Sequence, residues 1–86
     1  MWTFYILYSC SANKYYIGVT GDNVTERLRR HNTHHKGFTG KTNDWEIIYT
    51  EKYQTKNEAY SRERQVKKWK SRKLIQQLVS SAHPGS

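Results

Sequence analysis

Two short strands that carry tyrosines, with a glycine at the end of the second, constrain this chain more than any other feature. Along residues 2–9 (WTFYILYS), successive side chains would lie on opposite faces of a strand. Residues 14–19 (KYYIGV) are again rich in β-branched and aromatic side chains, so the two stretches predict a hairpin that turns through residues 10–13. A glycine such as Gly18 usually marks a bulge or a close approach by another group. The segment therefore predicts the first two strands of a small antiparallel sheet.

The register of this hairpin determines whether Tyr5 and Tyr16 lie on one face of the sheet. Opposed residues in an antiparallel pair share a face, and their numbers have a constant sum. If Ser9 pairs with Lys14, the two tyrosines share a face. If Cys10 pairs with Lys14 instead, they lie on opposite faces unless a bulge intervenes. A shared tyrosine site requires the first register.

The rest of the chain predicts a third strand and three helices, which give an α+β fold. Asp22 or Asn23 can cap the first helix, and Thr55 with Glu58 has the spacing of a capping box for the second. Residues 33–44 contain glycines and predict a loop. The predicted strands span about 2–9, 14–19 and 45–53, and the predicted helices span about 22–32, 55–70 and 71–79.

The length of the chain limits it to one domain with a thin core. A chain of 86 residues buries only about 60–65% of its unfolded surface. Seven tyrosines and three tryptophans supply large apolar bodies with polar tips, which argues for a folded core despite the low aliphatic content. We expect a single domain at residues 1–80 and a flexible tail at 81–86. Trp2, Trp45 and Trp69 are interpreted as core or rim residues, although an exposed one could stack on a base.

Cysteine content and hydropathy exclude several classes of protein. The single cysteine excludes an internal disulfide and a zinc cluster built from cysteines, and Cys10 is interpreted as a packing residue. The apolar run at residues 2–8 is short and has no basic segment before it, so neither a secretory signal nor a membrane span is expected. We therefore expect a soluble, cytoplasmic protein that is a monomer or a weak dimer.

Positive charge is concentrated in the last third of the chain. Six of the eight net positive charges lie between Thr55 and Lys73, which predicts a basic face that attracts phosphate backbones largely irrespective of sequence. A solvated surface that maintains solubility is an equally supported alternative, and an anionic membrane surface is a weaker one because the segment lacks a broad apolar face. The residues interpreted as phosphate contacts are Lys67, Lys68, Lys70, Arg72 and Lys73.

Three polar side chains lie on helix stripes that should be apolar. Arg27 and His31 follow Val24, on the inward stripe of the first predicted helix, by three and seven positions. Glu63 follows Ala59, on the inward stripe of the second, by four. An inward carboxylate is costly unless it is paired or binds a metal ion, and an inward arginine needs an anion. The pattern therefore indicates either a structural ion pair between Arg27 and Glu63 or a functional site.

Taken together, these elements resemble the GIY-YIG endonuclease superfamily over nearly the whole chain. The resemblance is closest to small stand-alone members that consist of little beyond the catalytic module. The first motif reads FYI and has Thr3 where the family has a glycine. The residues that carry the resemblance are Tyr5-Ile6-Leu7, the intact Tyr16-Ile17-Gly18, Arg27 with His31, and Ala59 with Glu63 before a basic helix.

The resemblance implies a role for each matching residue. Tyr5 would be the general base, and Tyr16 would orient the water or the phosphate. Arg27 matches the arginine of the first helix. Glu63 would hold one divalent metal ion, Mg²⁺ or Mn²⁺. His31 matches a histidine one turn after the arginine. It is the alternative base, since its ordinary pKa of about 6.5 suits neutral pH better than the tyrosine value near about 10.

Three further features bear on this assignment. The segment before the arginine is one residue longer than the usual family pattern, so Arg29 and Arg30 are alternatives to Arg27, which keeps the expected spacing to His31. The asparagine that some members place late in the chain has no clear counterpart. His31, His34 and His35 have a spacing that could bind a transition metal on a continuous helix, but a polar loop is the favoured interpretation.

The implied function is metal-dependent hydrolysis of phosphodiester bonds in nucleic acid, DNA rather than RNA, directed by the structure of the substrate rather than by its sequence. The alternative is a nucleic-acid-binding module of the same fold that cuts poorly or only beside a partner. Retention of Tyr5, Tyr16, Arg27 and Glu63 favours the enzyme, because a binding module has no need of an inward metal-binding carboxylate.

Overall fold

A computed structural model describes residues 1–32 and 44–81. These residues form a three-stranded antiparallel sheet and three helices, which confirms the predicted α+β fold. Residues 33–43 of the predicted loop and residues 82–86 of the predicted tail lie outside the described part. The elements in chain order are β1 (Trp2–Ser9), β2 (Lys14–Thr20), α1 (Val24–Asn32), β3 (Trp45–Tyr53), α2 (Lys56–Trp69) and α3 (Arg72–Ser81).

The first strand forms the centre of the sheet. The strand order is β2-β1-β3, so β1 pairs on both sides and β2 and β3 are the edges. Residues 3–7 of β1 are all buried, since helices or aromatic side chains cover both faces of this strand. A strand that is buried on both faces can hold a polar or reactive side chain out of water on either of them.

The hairpin adopts the register that a shared tyrosine site requires. Ser9 pairs with Lys14, and the pairing continues without a bulge, so that Tyr5 lies opposite Gly18. Asn13 closes the turn with a left-handed backbone (φ 55°). Its side-chain oxygen accepts a hydrogen bond of 2.8 Å from the hydroxyl of Tyr8.

The other side of β1 contains an irregularity that the sequence pattern did not reveal. The pairing of β1 with β3 shifts between Ile6 and Leu7, where Ile48 is an extra residue. A one-residue shift turns every following side chain to the opposite face. Trp45, opposite Ser9, consequently lies on the same face as Leu7 and Tyr5 rather than on the other face of the sheet.

Helices cover the two faces of the sheet separately. On one face, Val24 and Leu28 of α1 pack on Tyr5, Leu7 and Trp45. On the other face, α2 buries its small and β-branched inward residues against β1, and α3 adds a partly buried apolar stripe. The members of this second layer are Phe4, Ile6, Val19, Ala59 and Val66, with Ile75, Leu78 and Val79 from α3.

The predicted helix starts agree with the structure to within two residues. The side chain of Asn23, rather than that of Asp22, caps α1 by accepting a hydrogen bond of 2.7 Å from the amide of Thr25. Thr55 and Glu58 form the predicted capping box of α2. Each such cap satisfies amides that have no partner within the helix and stabilises it by about 1 kcal/mol.

A polar network attaches α2 to β3. The guanidinium of Arg62 donates to both carboxylate oxygens of Glu51, at 3.0 and 3.2 Å. The hydroxyls of Tyr49 and Tyr53 donate to the same carboxylate, the latter at 2.6 Å. Although burial by itself raises the pKa of Glu51, these hydrogen bonds and the charge of Arg62 hold it below its ordinary value.

Some details of the sequence interpretation need correction. Cys10 is exposed at the hairpin turn and does not pack in the core, because the turn projects it away from both layers. Helix α3 continues to Ser81, two residues past the predicted end, and the Ser81 hydroxyl donates to the carbonyl of Leu78 at 2.9 Å. Trp45 is buried and Trp2 and Trp69 lie at the core rim, as predicted.

Within residues 1–32 and 44–81, no helix has the length and apolar character needed to cross a membrane.

Candidate active site

Tyr5 lies at the centre of the candidate site and reaches the edge of the sheet. Its side chain is 1% exposed and points to the face covered by α1. A Cβ atom added to Gly18 would lie 2.6 Å from the Tyr5 hydroxyl oxygen and 2.7 Å from Cζ. The tyrosine ring therefore extends across the space that the glycine leaves, and its hydroxyl lies over the edge strand β2.

Two further rings continue the site along the same face. Tyr16 lies opposite Leu7 in the hairpin, and its ring stacks on that of Tyr5 with centroids 6.4 Å apart and planes 27° apart. The imidazole of His31, in the last turn of α1, contacts the Tyr16 ring at a centroid distance of 4.4 Å. The structure thus brings together the three predicted residues Tyr5, Tyr16 and His31.

Trp45 forms the buried floor of this aromatic group. Its indole is 2% exposed and lies 6.3 Å from the ring of Tyr16 and 6.4 Å from that of His31. The indole Nε1–H is buried and has no hydrogen-bond partner among the described residues. The sequence indicated a core tryptophan here, but its place beside Tyr16 depends on the bulge at Ile48.

Arg27 is the arginine of α1 that interacts with Tyr5. Its half-buried guanidinium lies within hydrogen-bonding reach of the Tyr5 hydroxyl. Arg29, one of the two alternatives, is 66% exposed and pairs with Glu26 at 2.6 Å. Arg30, the other, is also exposed. The structure therefore places at the site the arginine chosen by its spacing to His31.

The pKa of Tyr5 reflects competing influences. Burial raises the pKa of this tyrosine above its ordinary value of 10.0, because the ionised form loses its hydration. The hydrogen bond and the charge of Arg27 act in the opposite direction, while Tyr16 and the carboxylate of Glu63 raise the pKa further. The net shift is upward, so the hydroxyl carries its proton at neutral pH in the free protein.

Glu63 lies on the helix that packs on the other face of the sheet. It lies on α2 between the buried Ala59 and Val66, and its side chain is 16% exposed. Its carboxylate forms an ion pair of 3.5 Å with Lys67. Among the ion pairs of the described residues, this is the one that involves Glu63, so the structural pair between Arg27 and Glu63 is not formed. Both charges instead influence the ionisation of Tyr5, since Arg27 lowers the pKa of that tyrosine and Glu63 raises it.

The donor chemistry of Glu63 fits a magnesium-type ion. The described residues contain no group of three or more histidine, cysteine, aspartate or glutamate side chains that could enclose a metal. Mg²⁺ is commonly held by one or two carboxylates together with water and substrate phosphate oxygens, so one partly exposed carboxylate beside a phosphate site suffices. Of the alternative histidine set, His34 and His35 lie outside the described residues.

The residues predicted to contact phosphate differ in the contacts that they make within the protein. Lys67, Lys68, Lys70 and Lys73 are exposed. The guanidinium of Arg72, in contrast, donates to the backbone carbonyl of Asn13 at 3.0 Å and to its side-chain oxygen, and it lies 5.2 Å from the centroid of the Tyr15 ring. Arg72 thus fastens the start of α3 to the hairpin turn. Sequence reasoning missed this function because the two residues are 59 positions apart.

Asn32 is a residue of the site region that sequence reasoning also missed. It ends α1, directly after His31, and its carboxamide forms two hydrogen bonds with the backbone of Trp45. Helical periodicity marks the position only as the last turn of α1. A pairing between a side chain and a backbone 13 residues away leaves no local signal in the sequence.

Comparison with known proteins adds one positive finding. The family model described as the GIY-YIG catalytic domain matches residues 1–76, which include all five predicted residues of the candidate catalytic site. No curated protein and no solved structure matches the chain. The match covers most of the 86 residues.

Proposed function

The chain belongs to the GIY-YIG family and has a nuclease-type fold, and on this premise we propose that it is a metal-dependent endonuclease that hydrolyses phosphodiester bonds in DNA. The observation that carries the proposal is the buried Tyr5, whose hydroxyl lies against Gly18 beside Tyr16 and whose pKa is influenced by both Arg27 and Glu63. Tyr5, Arg27 and Glu63 come from β1, α1 and α2, and two of them are polar residues on inward helix stripes. An arrangement of this kind is expected where a protein performs chemistry rather than where it only packs.

The scissile phosphate is proposed to bind beside the Tyr5 hydroxyl, over β2. The guanidinium of Arg27 has the planar donor geometry that binds two phosphoryl oxygens at once, and it neutralises charge that develops on them. Because Arg27 is half-buried, this attraction is less screened than that of a surface cation. Binding of the phosphate supplies the anion that an inward arginine requires.

Tyr5, in its ionised tyrosinate form, is proposed to accept the proton of the attacking water, as the resemblance implies. Its hydroxyl lies beside Arg27, which favours the ionised form. Tyr16, stacked beside it at 6.4 Å, is proposed to orient the water or the phosphate. His31 contacts the ring of Tyr16 at 4.4 Å and is proposed to support that orientation.

Glu63 is proposed to hold one Mg²⁺ or Mn²⁺ ion. When bound there, a divalent cation supplies charge neutralisation for the phosphoryl group and the leaving oxygen. The carboxylate of Glu63 is 16% exposed, so a hydrated cation can reach it from solvent. Lys67, which pairs with Glu63, then becomes available for the phosphate backbone.

The positive charge of the surrounding surface supports the proposal that the protein selects its substrate by structure rather than by base sequence. The exposed cations near the end of α2 and the start of α3 are suited to contact phosphates, whose positions depend on the shape of the nucleic acid and not on its bases. We therefore propose branched, nicked or single-stranded DNA as the substrate class.

Cleavage of a panel of DNA and RNA substrates in Mg²⁺ or Mn²⁺ tests the proposal. Glu63→Gln preserves the shape of the side chain and removes its charge, so we expect cleavage to fall by at least about 100-fold while binding persists. Glu46→Gln is the matched control, because Glu46 is an exposed carboxylate on β3, and it should cleave like the wild type.

Three outcomes would contradict the proposal. Binding without cleavage by the wild type under any metal condition would favour the binding-module alternative. Equal cleavage by the wild type and Glu63→Gln would show that Glu63 is not the metal ligand or that the activity comes from a contaminant. Faster cleavage of RNA than of every DNA in the panel would overturn the proposed substrate class.

A further inference from the structure

The carboxamide of Asn32 pairs with the backbone of Trp45 in the way that one strand pairs with another. Its Oδ1 accepts a hydrogen bond of 2.7 Å from the Trp45 amide, and its Nδ2 donates one of 3.0 Å to the Trp45 carbonyl. A carboxamide offers an acceptor and a donor side by side, which few side chains do. Aspartate keeps the acceptor and loses the donor, and alanine loses both.

These bonds connect the end of one element to the beginning of another. Asn32 is the last residue of α1 and Trp45 is the first of β3. Trp45 is 2% exposed and therefore provides a fixed anchor. The residue before Asn32 is His31, so the clamp acts directly on the turn of α1 that carries this histidine.

Helix α1 has few buried apolar contacts with the rest of the protein. The helix contains no fully buried residue, and its apolar side chains Val24 and Leu28 are half-buried. Both of these lie in its first two turns, whereas His31 lies in the last. The aliphatic contacts of α1 therefore lie towards its beginning, and the Asn32 clamp adds a polar restraint at its end, next to the ring contacts of His31.

We propose that Asn32 is a positioning residue that holds the His31 imidazole against the ring of Tyr16. The centroid distances support this role: His31 lies 4.4 Å from Tyr16, and both rings lie within 6.4 Å of the anchored Trp45. The hydrogen bonds of Asn32 go to the backbone of Trp45, and in this proposal Asn32 acts on the site through His31, the residue before it. Its effect on cleavage rests on the proposed endonuclease function, whereas its effect on the position of His31 does not.

The test compares Asn32→Ala and Asn32→Asp with Asp44→Asn. Asp44 holds the same end of β3 to the hairpin, since its carboxylate accepts hydrogen bonds from the Ser9 hydroxyl at 2.6 Å and the Ser11 amide at 2.9 Å. Asp44→Asn therefore weakens the start of β3 without releasing the end of α1. It serves as the control for a general loss of stability.

The first readout is the NMR signal of the His31 ring protons. Packing against Tyr16 displaces these signals from their free positions by ring-current effects. We expect Asn32→Ala to return them most of the way to the free positions, Asn32→Asp to do so in part, and Asp44→Asn to leave them unchanged. Unchanged His31 signals in Asn32→Ala, or equal changes in Asp44→Asn, would overturn the proposal.

The second readout is the steady-state kinetics of DNA cleavage. A loosened His31 disturbs the orientation of Tyr16, so we expect kcat to fall by about 10-fold in Asn32→Ala with KM changed less than twofold. A wild-type protein that does not cleave would contradict the proposed function, while the NMR result would still decide the positioning role. If Asn32→Ala fails to fold, Asn32→Asp, which keeps the acceptor for the Trp45 amide, decides by the same criteria.

Discussion

Tyr5 can reach the edge of the sheet because position 18 has no side chain. A glycine inside a strand is otherwise unfavourable, since it packs nothing and costs conformational entropy. At Gly18 the tyrosine ring fills the space instead, and the ring is 1% exposed. The glycine of the second motif and the tyrosine of the first therefore form one structural unit across the hairpin.

Gly18→Ala is expected to damage the site more than the fold. The new Cβ would approach the Tyr5 hydroxyl to 2.6 Å and force the ring to move. Overpacking of this kind costs about 1–3 kcal/mol in the free energy of unfolding. A displaced hydroxyl should lower kcat by about 100-fold. Thermal unfolding and cleavage kinetics measure the two effects.

Gly21→Ala is the matched control for this substitution. Its Cβ would lie 3.0–3.2 Å from the Trp2 indole, which is also tight contact but lies away from the tyrosine site. We expect a loss of stability with kcat close to that of the wild type. Wild-type kcat in Gly18→Ala would show that the contact between Tyr5 and Gly18 is not needed for cleavage.

The raised pKa of Tyr5 predicts a distinctive pH profile for cleavage. If Tyr5 is the base, the reactive tyrosinate is a minor form below its ordinary pKa of 10.0, and its fraction rises about tenfold per pH unit. The rate should therefore continue to increase from pH 7 to pH 9. Tyr5→Phe should lose this dependence and His31→Ala should retain it. A rate that stops rising between pH 7 and pH 9 would favour His31 as the base instead.

At the scale of the elements, the candidate site takes residues from helices on both faces of the sheet. The tyrosines and Trp45 lie on the face under α1, whereas α2, which carries Glu63, packs with α3 on the opposite face. Glu63 belongs to α2, so any shift of that helix relative to the sheet moves the proposed metal ligand relative to Tyr5. The Glu51 network between β3 and α2 therefore stabilises the site as well as the fold.

Glu51→Gln is expected to destabilise the protein in a pH-dependent way. The carboxylate accepts hydrogen bonds from Arg62, Tyr49 and Tyr53, and losing its charge costs about 1–3 kcal/mol in the free energy of unfolding near neutral pH. Because the pKa of Glu51 is lowered in the folded state, this stabilisation is present above its ordinary value of 4.5 and is lost as the pH falls through the folded pKa. The difference in Tm between wild type and variant should consequently shrink below about pH 4.5.

Calorimetry or circular dichroism at several pH values measures this difference. Glu46→Gln, which changes an exposed carboxylate on the same strand, should show no comparable loss at any pH. A Tm difference for Glu51→Gln that stays constant from pH 7 to pH 3 would contradict the assignment of the lowered pKa to this network.

At the scale of the whole molecule, the net charge of +8 is distributed unevenly. Glu51 and Glu63 are engaged by neighbouring cations, while Lys68 and Lys73 extend into solvent. Phosphate contacts made by such exposed cations release counterions and depend strongly on salt. The basic segment is therefore proposed to supply most of the affinity for nucleic acid and little of the discrimination between sequences.

Lys68→Ala and Lys73→Ala are each expected to weaken DNA binding uniformly across sequences. Each should reduce the slope of log K against log salt concentration by about 1, as expected for the loss of one phosphate contact. Fluorescence anisotropy over a salt series measures the slope. Asn57→Ala changes an exposed uncharged residue of α2 and should leave the slope unchanged. A slope unaffected by both lysine substitutions would place the DNA elsewhere on the surface.

Much of the fold was predictable because its signals are local. Alternation along β1 and β2, the inward stripes of α1 and α2 and the capping box of Thr55 and Glu58 each arise from residues within a few positions of one another. The polar character of Arg27, His31 and Glu63 on inward stripes was also a local signal, and it marked them as candidate site residues. The exposure of Cys10 was not predictable in this way, since it depends on which layers cover the turn.

By itself, the sequence determined which elements form and which side chains are candidates for chemistry, because backbone propensity, periodicity and capping act over short stretches of chain. The tertiary structure decided which of these side chains lie on the same face and contact one another. It selected the register that puts Tyr5 over Gly18, and it introduced the bulge at Ile48 that brings Trp45 to the same face. It also formed the clamp of Asn32 on Trp45. These outcomes depend on contacts between residues far apart in the chain, whose free energy is defined only once whole elements pack together.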